Sequence, residues 1–151
     1  MIFWVFGGTA VGKKRFIARC IDPKTRPDYI ESANLRAEWI PDGNATFDIV
    51  AESKRADLML RWQWGRDETL DNLCIQHRGI PHTIVLLSVG LMSQLSRIAL
   101  REGCLKWDAG NVHGEQRDIY ERVHEIAMRH RLPVLYVDAT NDDYTLRKQV
   151  A

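Results

Sequence analysis

The 151-residue sequence predicts one three-layer α/β domain built on a mainly parallel sheet of about five strands. Two observations predict it. Short apolar runs rich in branched and aromatic residues alternate with amphipathic stretches, the pattern of strands buried on both faces with helices laid over them. The composition agrees: at 45% hydrophobic and 27% charged, the chain is an ordinary globular sequence, long enough to bury a core without staples.

The elements follow in chain order. Residues 2–6, Ile-Phe-Trp-Val-Phe, read as the first strand, and a glycine loop then leads into a short amphipathic helix over 15–21. Between 21 and 43 the breakers Pro23, Pro27, Pro41 and Gly43 confine any second strand to 29–31 or 38–40. Residues 58–64 form the next strand, and Leu70, Leu73, Cys74 and His77, at i, i+3, i+4 and i+7, mark a helix. A strand over 83–89 feeds a helix whose apolar stripe is Leu91, Leu95 and Ile98. Residues 103–114, with Gly103, Gly110, Gly114 and polar neighbours, read as a mobile excursion and a candidate lid. Ile119, Val123, Ile126 and Ala127 mark the following helix, and 133–137 the last predicted strand. Thr140, Asn141 and Asp142 then offer caps for a closing helix that runs to Gln149.

With 21 basic and 20 acidic residues the net charge is +1, which argues against a broad nucleic-acid or membrane footprint and leaves such partners unsupported. No apolar run approaches the length of a membrane span, and the first residues are too short for a secretory leader. Cys20, Cys74 and Cys104 are odd in number and lack metal spacing, which suits reduced thiols and a cytoplasmic location. His77, His82, His113, His124 and His130 form no ligand spacing, and His77 and Cys74 share an apolar stripe that assigns them to the core.

The chemistry concentrates in Gly7-Gly8-Thr9-Ala10-Val11-Gly12-Lys13-Lys14, which satisfies G-x-x-x-x-G-K and departs only at the final Ser/Thr. A strand, this loop and a helix together place successive backbone N–H groups and a helix N-terminus around an anion. The lysine adds a compact positive charge. The alternative is a glycine turn that only joins strand to helix.

On these residues the chain resembles the P-loop NTPases. The later order of a strand, a helix carrying Arg97 and Arg101, a glycine-bearing gap, a helix and the string Leu135-Tyr136-Val137-Asp138-Ala139-Thr140 is similar to small-molecule and nucleotide kinases of that class. The resemblance spans most of the chain, as one kinase-like domain over 1–151, but only the loop is a specific motif. It implies binding of ATP or GTP and transfer of the γ-phosphoryl to a small-molecule or nucleotide acceptor. In that reading Lys13, Arg97 and Arg101 are catalytic, and Gly7, Gly8, Thr9, Ala10, Val11, Gly12, Lys13 and Lys14 hold the phosphates. Arg97 and Arg101, at i and i+4, share one side of their helix, where they either face the lid or form a solvated face.

Lys14 stands where the family has the hydroxyl that ligates Mg²⁺, and an ammonium cannot do so. Mg²⁺ is then held in another way, or Lys14 replaces part of its charge, or turnover is lost and the chain is a nucleotide-binding regulatory or assembly module. The kinases also carry an Asp at the end of the third strand. Here that region reads Leu60-Arg61-Trp62-Gln63-Trp64-Gly65-Arg66-Asp67. Arg61, Gln63, Arg66 and Asp67 are the candidate acceptor pocket, with Trp62 and Trp64 as an aromatic wall or as core. Asp67 either caps the next helix or serves the metal through water.

Overall fold

The computed structural model describes residues 1–38, 46–61, 66–102, 109–141 and 143–150. The strands are β1 (Ile2–Phe6), β2 (Leu35–Glu38), β3 (Asp57–Arg61), β4 (His82–Ser88), β5 (Val134–Asp138) and β6 (Thr145–Val150). The helices are α1 (Lys13–Ile21), α2 (Thr46–Ser53), α3 (Arg66–Gln76), α4 (Leu91–Glu102) and α5 (Ala109–His130). The strands make one sheet in the order β2-β3-β1-β4-β5-β6, and only β6 runs antiparallel to its neighbour. The predicted class holds, with six strands rather than about five.

Alternation along β1 builds the two cores. Ile2, Trp4 and Phe6 face one side, where they pack with Leu70 and Leu73 of α3 and Ile119, Val123 and Ile126 of α5. Phe3 and Val5 face the other, against Phe16 and Ile17 of α1. Trp4 belongs wholly to the interior, and its indole N–H donates to Nδ1 of His82 at 3.0 Å.

Three expectations are corrected. The closing helix expected up to Gln149 is the strand β6, which pairs along β5; its ladder hydrogen bonds outweigh the capping signals at Thr140 and Asn141. The second strand is Leu35–Glu38 rather than 29–31; it meets the 38–40 alternative at Glu38, with residues 39 and 40 outside the described residues, and α2 follows where no helix was expected. β3 agrees with the expected 58–64 strand as far as it is described, to Arg61, while Trp62, Gln63, Trp64 and Gly65 lie outside the described residues. The predicted mobile excursion over 103–114 is helical from Ala109 onward, because buried Val112 extends the apolar stripe of α5 toward its start. Residues 103–108 of the candidate lid, Cys104 among them, lie outside the described residues. Cys20 and Cys74 are free thiols. Among the described residues no helix is long and apolar enough to cross a membrane.

Candidate phosphate-binding site

The site begins where β1 ends. Gly7 turns the chain under tight contact: a Cβ there would lie 2.5 Å from Cγ2 of Val11. Ala10 (φ 61°) and Gly12 (φ 93°) adopt left-handed backbone, so the loop curls back on itself before α1 starts. Gly12 is the N-cap of α1, and no side chain caps it. The first N–H groups of α1 therefore have no intrahelical partner, and they sit at the positive end of its dipole.

The loop lines a cavity of about 630 Å³ together with Arg15, Arg61, Arg97, Arg101 and Glu115. Counting Lys13 and Lys14, six cationic side chains and one carboxylate meet there, although the whole chain is nearly neutral. This concentration of positive charge in a concave wall is what a chain of phosphates requires.

Lys13 folds back over the loop, and its ammonium donates to the carbonyl oxygens of Gly7 at 2.8 Å and Gly8 at 3.0 Å. Burial pushes its pKa down to about 8; Glu115 opposes the shift, and Arg61 and Arg101 add to it. Arg97 reaches across from α4. Its guanidinium donates to the carbonyls of Ala139 (2.9 Å) and Thr140 (3.0 Å), with longer contacts to Ala10 (3.5 Å) and Val11 (3.4 Å). One fork thus joins the glycine loop to the end of β5. Arg101, one turn further along α4, and Lys14 are exposed on the cavity wall.

Three further residues shape the loop. Glu115 of α5 is 8% exposed, and its Oε1 accepts the Thr9 N–H at 2.6 Å while its Oε2 accepts the Thr9 hydroxyl at 3.1 Å. Gln116 Oε1 accepts the Gly8 N–H at 3.1 Å, and the Gln94 amide donates to the Thr9 carbonyl at 2.7 Å. Sequence reasoning gave none of them a place in the site. The signal was present in α5, where Glu115 continues the buried stripe of Val112, Ile119 and Val123 as a carboxylate among apolar side chains.

Of the candidate acceptor residues, Arg61 lines the cavity at the end of β3. Gln63 and the side chain of Arg66 lie outside the described residues. Asp67 is in the first turn of α3, 6% exposed, and pairs with Arg122 of α5 at 3.0 Å; it is not among the described residues that line the cavity. For a divalent cation the wall offers, among the described residues, one carboxylate, Glu115, and both its oxygens are engaged by Thr9. Among the described residues no group of His, Cys, Asp or Glu is placed to hold a metal. The lining that the described residues supply does not fit a protein-held Mg²⁺.

No protein-family model matches the chain, and no curated protein does. Among solved structures, a gluconokinase from Sinorhizobium meliloti 1021 aligns over 94% of this chain and 88% of its own, with a TM-score of 0.50 and 11% identity. An uncharacterized protein from Eubacterium ventriosum ATCC 27560 covers 95% of this chain and 92% of its own at a TM-score of 0.45 and 10% identity. The likeness to the gluconokinase is one of fold alone: a mainly parallel α/β sheet covered by helices.

Proposed function

We propose that this protein binds ATP or GTP and moves its γ-phosphoryl to a small-molecule or nucleotide acceptor. One observation carries the reading: the Gly7 to Lys14 loop lies between β1 and α1 at a cavity of about 630 Å³ whose wall gathers Lys13, Arg61, Arg97 and Arg101. The nucleotide phosphates lie on the α1 N-terminus and the loop N–H groups. Lys13 leaves its loop carbonyls to meet the outer phosphates. Arg101, and Arg97 through the loop it braces, oppose the charge on the group in transfer, so catalysis is positioning and electrostatics. Mg²⁺ enters only as the counter-ion that the nucleotide brings. Arg61, Arg66, Gln63 and Asp67 remain the proposed acceptor side.

A second reading, a nucleotide-binding module without turnover, is favoured by Lys14 at the hydroxyl position and by the cation-rich wall. Calorimetric titration with ATP, GTP and their diphosphates tests binding, and release of ADP or GDP in the presence of hydroxyl-bearing acceptors tests transfer. Binding with no acceptor-dependent release selects the module. Failure to bind any of these nucleotides overturns both readings.

A further inference from the structure

We infer that Glu115 is a specificity-determining residue that acts as an internal anion in the cradle, biasing it toward chains of two phosphates over chains of three. The inference rests on the phosphate-site reading above and concerns how many phosphates the site accepts.

The carboxylate makes the contacts a phosphate would make. Its two oxygens take one backbone N–H and one hydroxyl of the loop, both from Thr9, at 2.6 and 3.1 Å. Beside it the Gln116 carbonyl oxygen takes the N–H of Gly8 at 3.1 Å. The approach is close: a Cβ on Gly8 would lie 2.6 Å from Gln116 Oε1 and 3.1 Å from Glu115 Oε1. Glu115 is also the carboxylate whose field supports the charge on Lys13. A phosphoryl group placed there would do the same.

The two halves of the loop therefore differ. At the Gly8–Thr9 end the donors are already matched by side chains of α5. At the α1 end the N-cap Gly12 makes no side-chain cap hydrogen bond, and the helix opens onto the cavity with the positive end of its dipole. A diphosphate laid on the α1 end coexists with Glu115. A third phosphate, extending toward the Lys13 ammonium at the Gly7 and Gly8 carbonyls, meets a carboxylate of the same sign in a half-buried place where like charges repel strongly. Triphosphate binding then requires Glu115 to leave Thr9, and α5 must yield or the side chain must turn.

The test measures affinities for ADP, ATP, pyrophosphate and tripolyphosphate by calorimetry, under one buffer and metal condition, for the wild type, Glu115→Gln and Glu115→Ala. Circular dichroism confirms the fold of each variant. Glu115→Gln removes the charge at nearly constant shape, and Glu115→Ala removes the group. The expected result is a rise in the ratio of three-phosphate to two-phosphate affinity, on the order of tenfold, in either variant. A ratio that stays unchanged or falls in both variants overturns the inference while leaving the phosphate site standing. If none of the four probes binds the wild type or either variant, the phosphate-site reading itself falls, and this inference with it.

Discussion

The guanidinium of Arg97 donates to the main-chain carbonyl oxygen of Ala139 at 2.9 Å, and through the same fork α4 holds the end of β5 and the glycine loop together. The geometry needs the planar fork, because one donor edge meets Ala139 and Thr140 while the other nitrogen faces Ala10 and Val11. Arg97→Lys keeps the charge and loses the span. It is expected to cost about 1–2 kcal/mol, a fall in Tm of several degrees at this chain length, with weaker nucleotide binding. Calorimetric melting and titration measure both, and a variant as stable as the wild type would remove this fork from the account.

Lys13 should make binding proton-linked. Its pKa, brought down to about 8 in the free protein, rises again when phosphates approach. At pH 8.5 nucleotide binding is therefore expected to take up protons, and affinity to fall as the pH is raised through about 8. Titrations in buffers of different ionisation enthalpy read the uptake directly. Lys13→Met should abolish the buffer dependence along with most of the affinity, without unfolding the chain.

His82 gives a stability test far from the site. Burial, then the N-terminal ammonium, then His130 push its pKa down from 6.5 to about 4, so the folded state binds this proton less readily than the unfolded state. Stability from the neutral ring is complete above pH 6.5 and is lost as the pH falls toward 4. Between pH 7 and pH 5 the loss is about 2 kcal/mol. His82→Asn retains an acceptor for the Trp4 indole and removes the titration, so urea melts of the variant should show that much less acid sensitivity. Equal pH dependence in the two proteins would count against it.

Lys14 is exposed on the cavity wall, and the proposed function sets it where a P-loop kinase has a metal-binding hydroxyl. Lys14→Thr is expected to make nucleotide affinity depend more steeply on Mg²⁺ and to raise any turnover. Titrations at several Mg²⁺ concentrations decide it, and an unaltered metal dependence would show that position 14 does not limit the metal.

The segments legible in the sequence were those in which one signal acted alone. β1, the glycine loop and α1 could be read because a fully buried strand, a turn chemistry and an amphipathic helix follow without overlap. β6 could not, since the strand is exposed along most of its length and carries no clean alternation, while Thr140 and Asn141 imitate a helix start. α2 was hidden behind the prolines that precede it. Within the site, Lys13 announced itself by motif, whereas Gln94, Glu115 and Gln116 act on the loop from helices 85 to 108 residues away in the chain. Such contacts exist only once the sheet is assembled. Asp67 shows the converse: its place at a helix start was legible, but its partner Arg122 lies on α5.

The ladder between β5 and β6 shifts register between Tyr136 and Val137, which leaves Arg147 as an extra residue in the edge strand. Leu146 and Lys148, two positions apart, consequently serve opposite faces. Leu146 packs into the core with Phe16 and Tyr144, and the Lys148 ammonium lies 4.8 Å from the ring centre of Tyr136 on the other side. Arg147 itself turns to the Asp138 carboxylate at 3.0 Å. An open sheet margin is an invitation to strand addition by a second molecule, and this one is kinked and carries two cations. The same bulge that disguised β6 in the sequence thus kinks and charges the edge along which a second strand would have to pair.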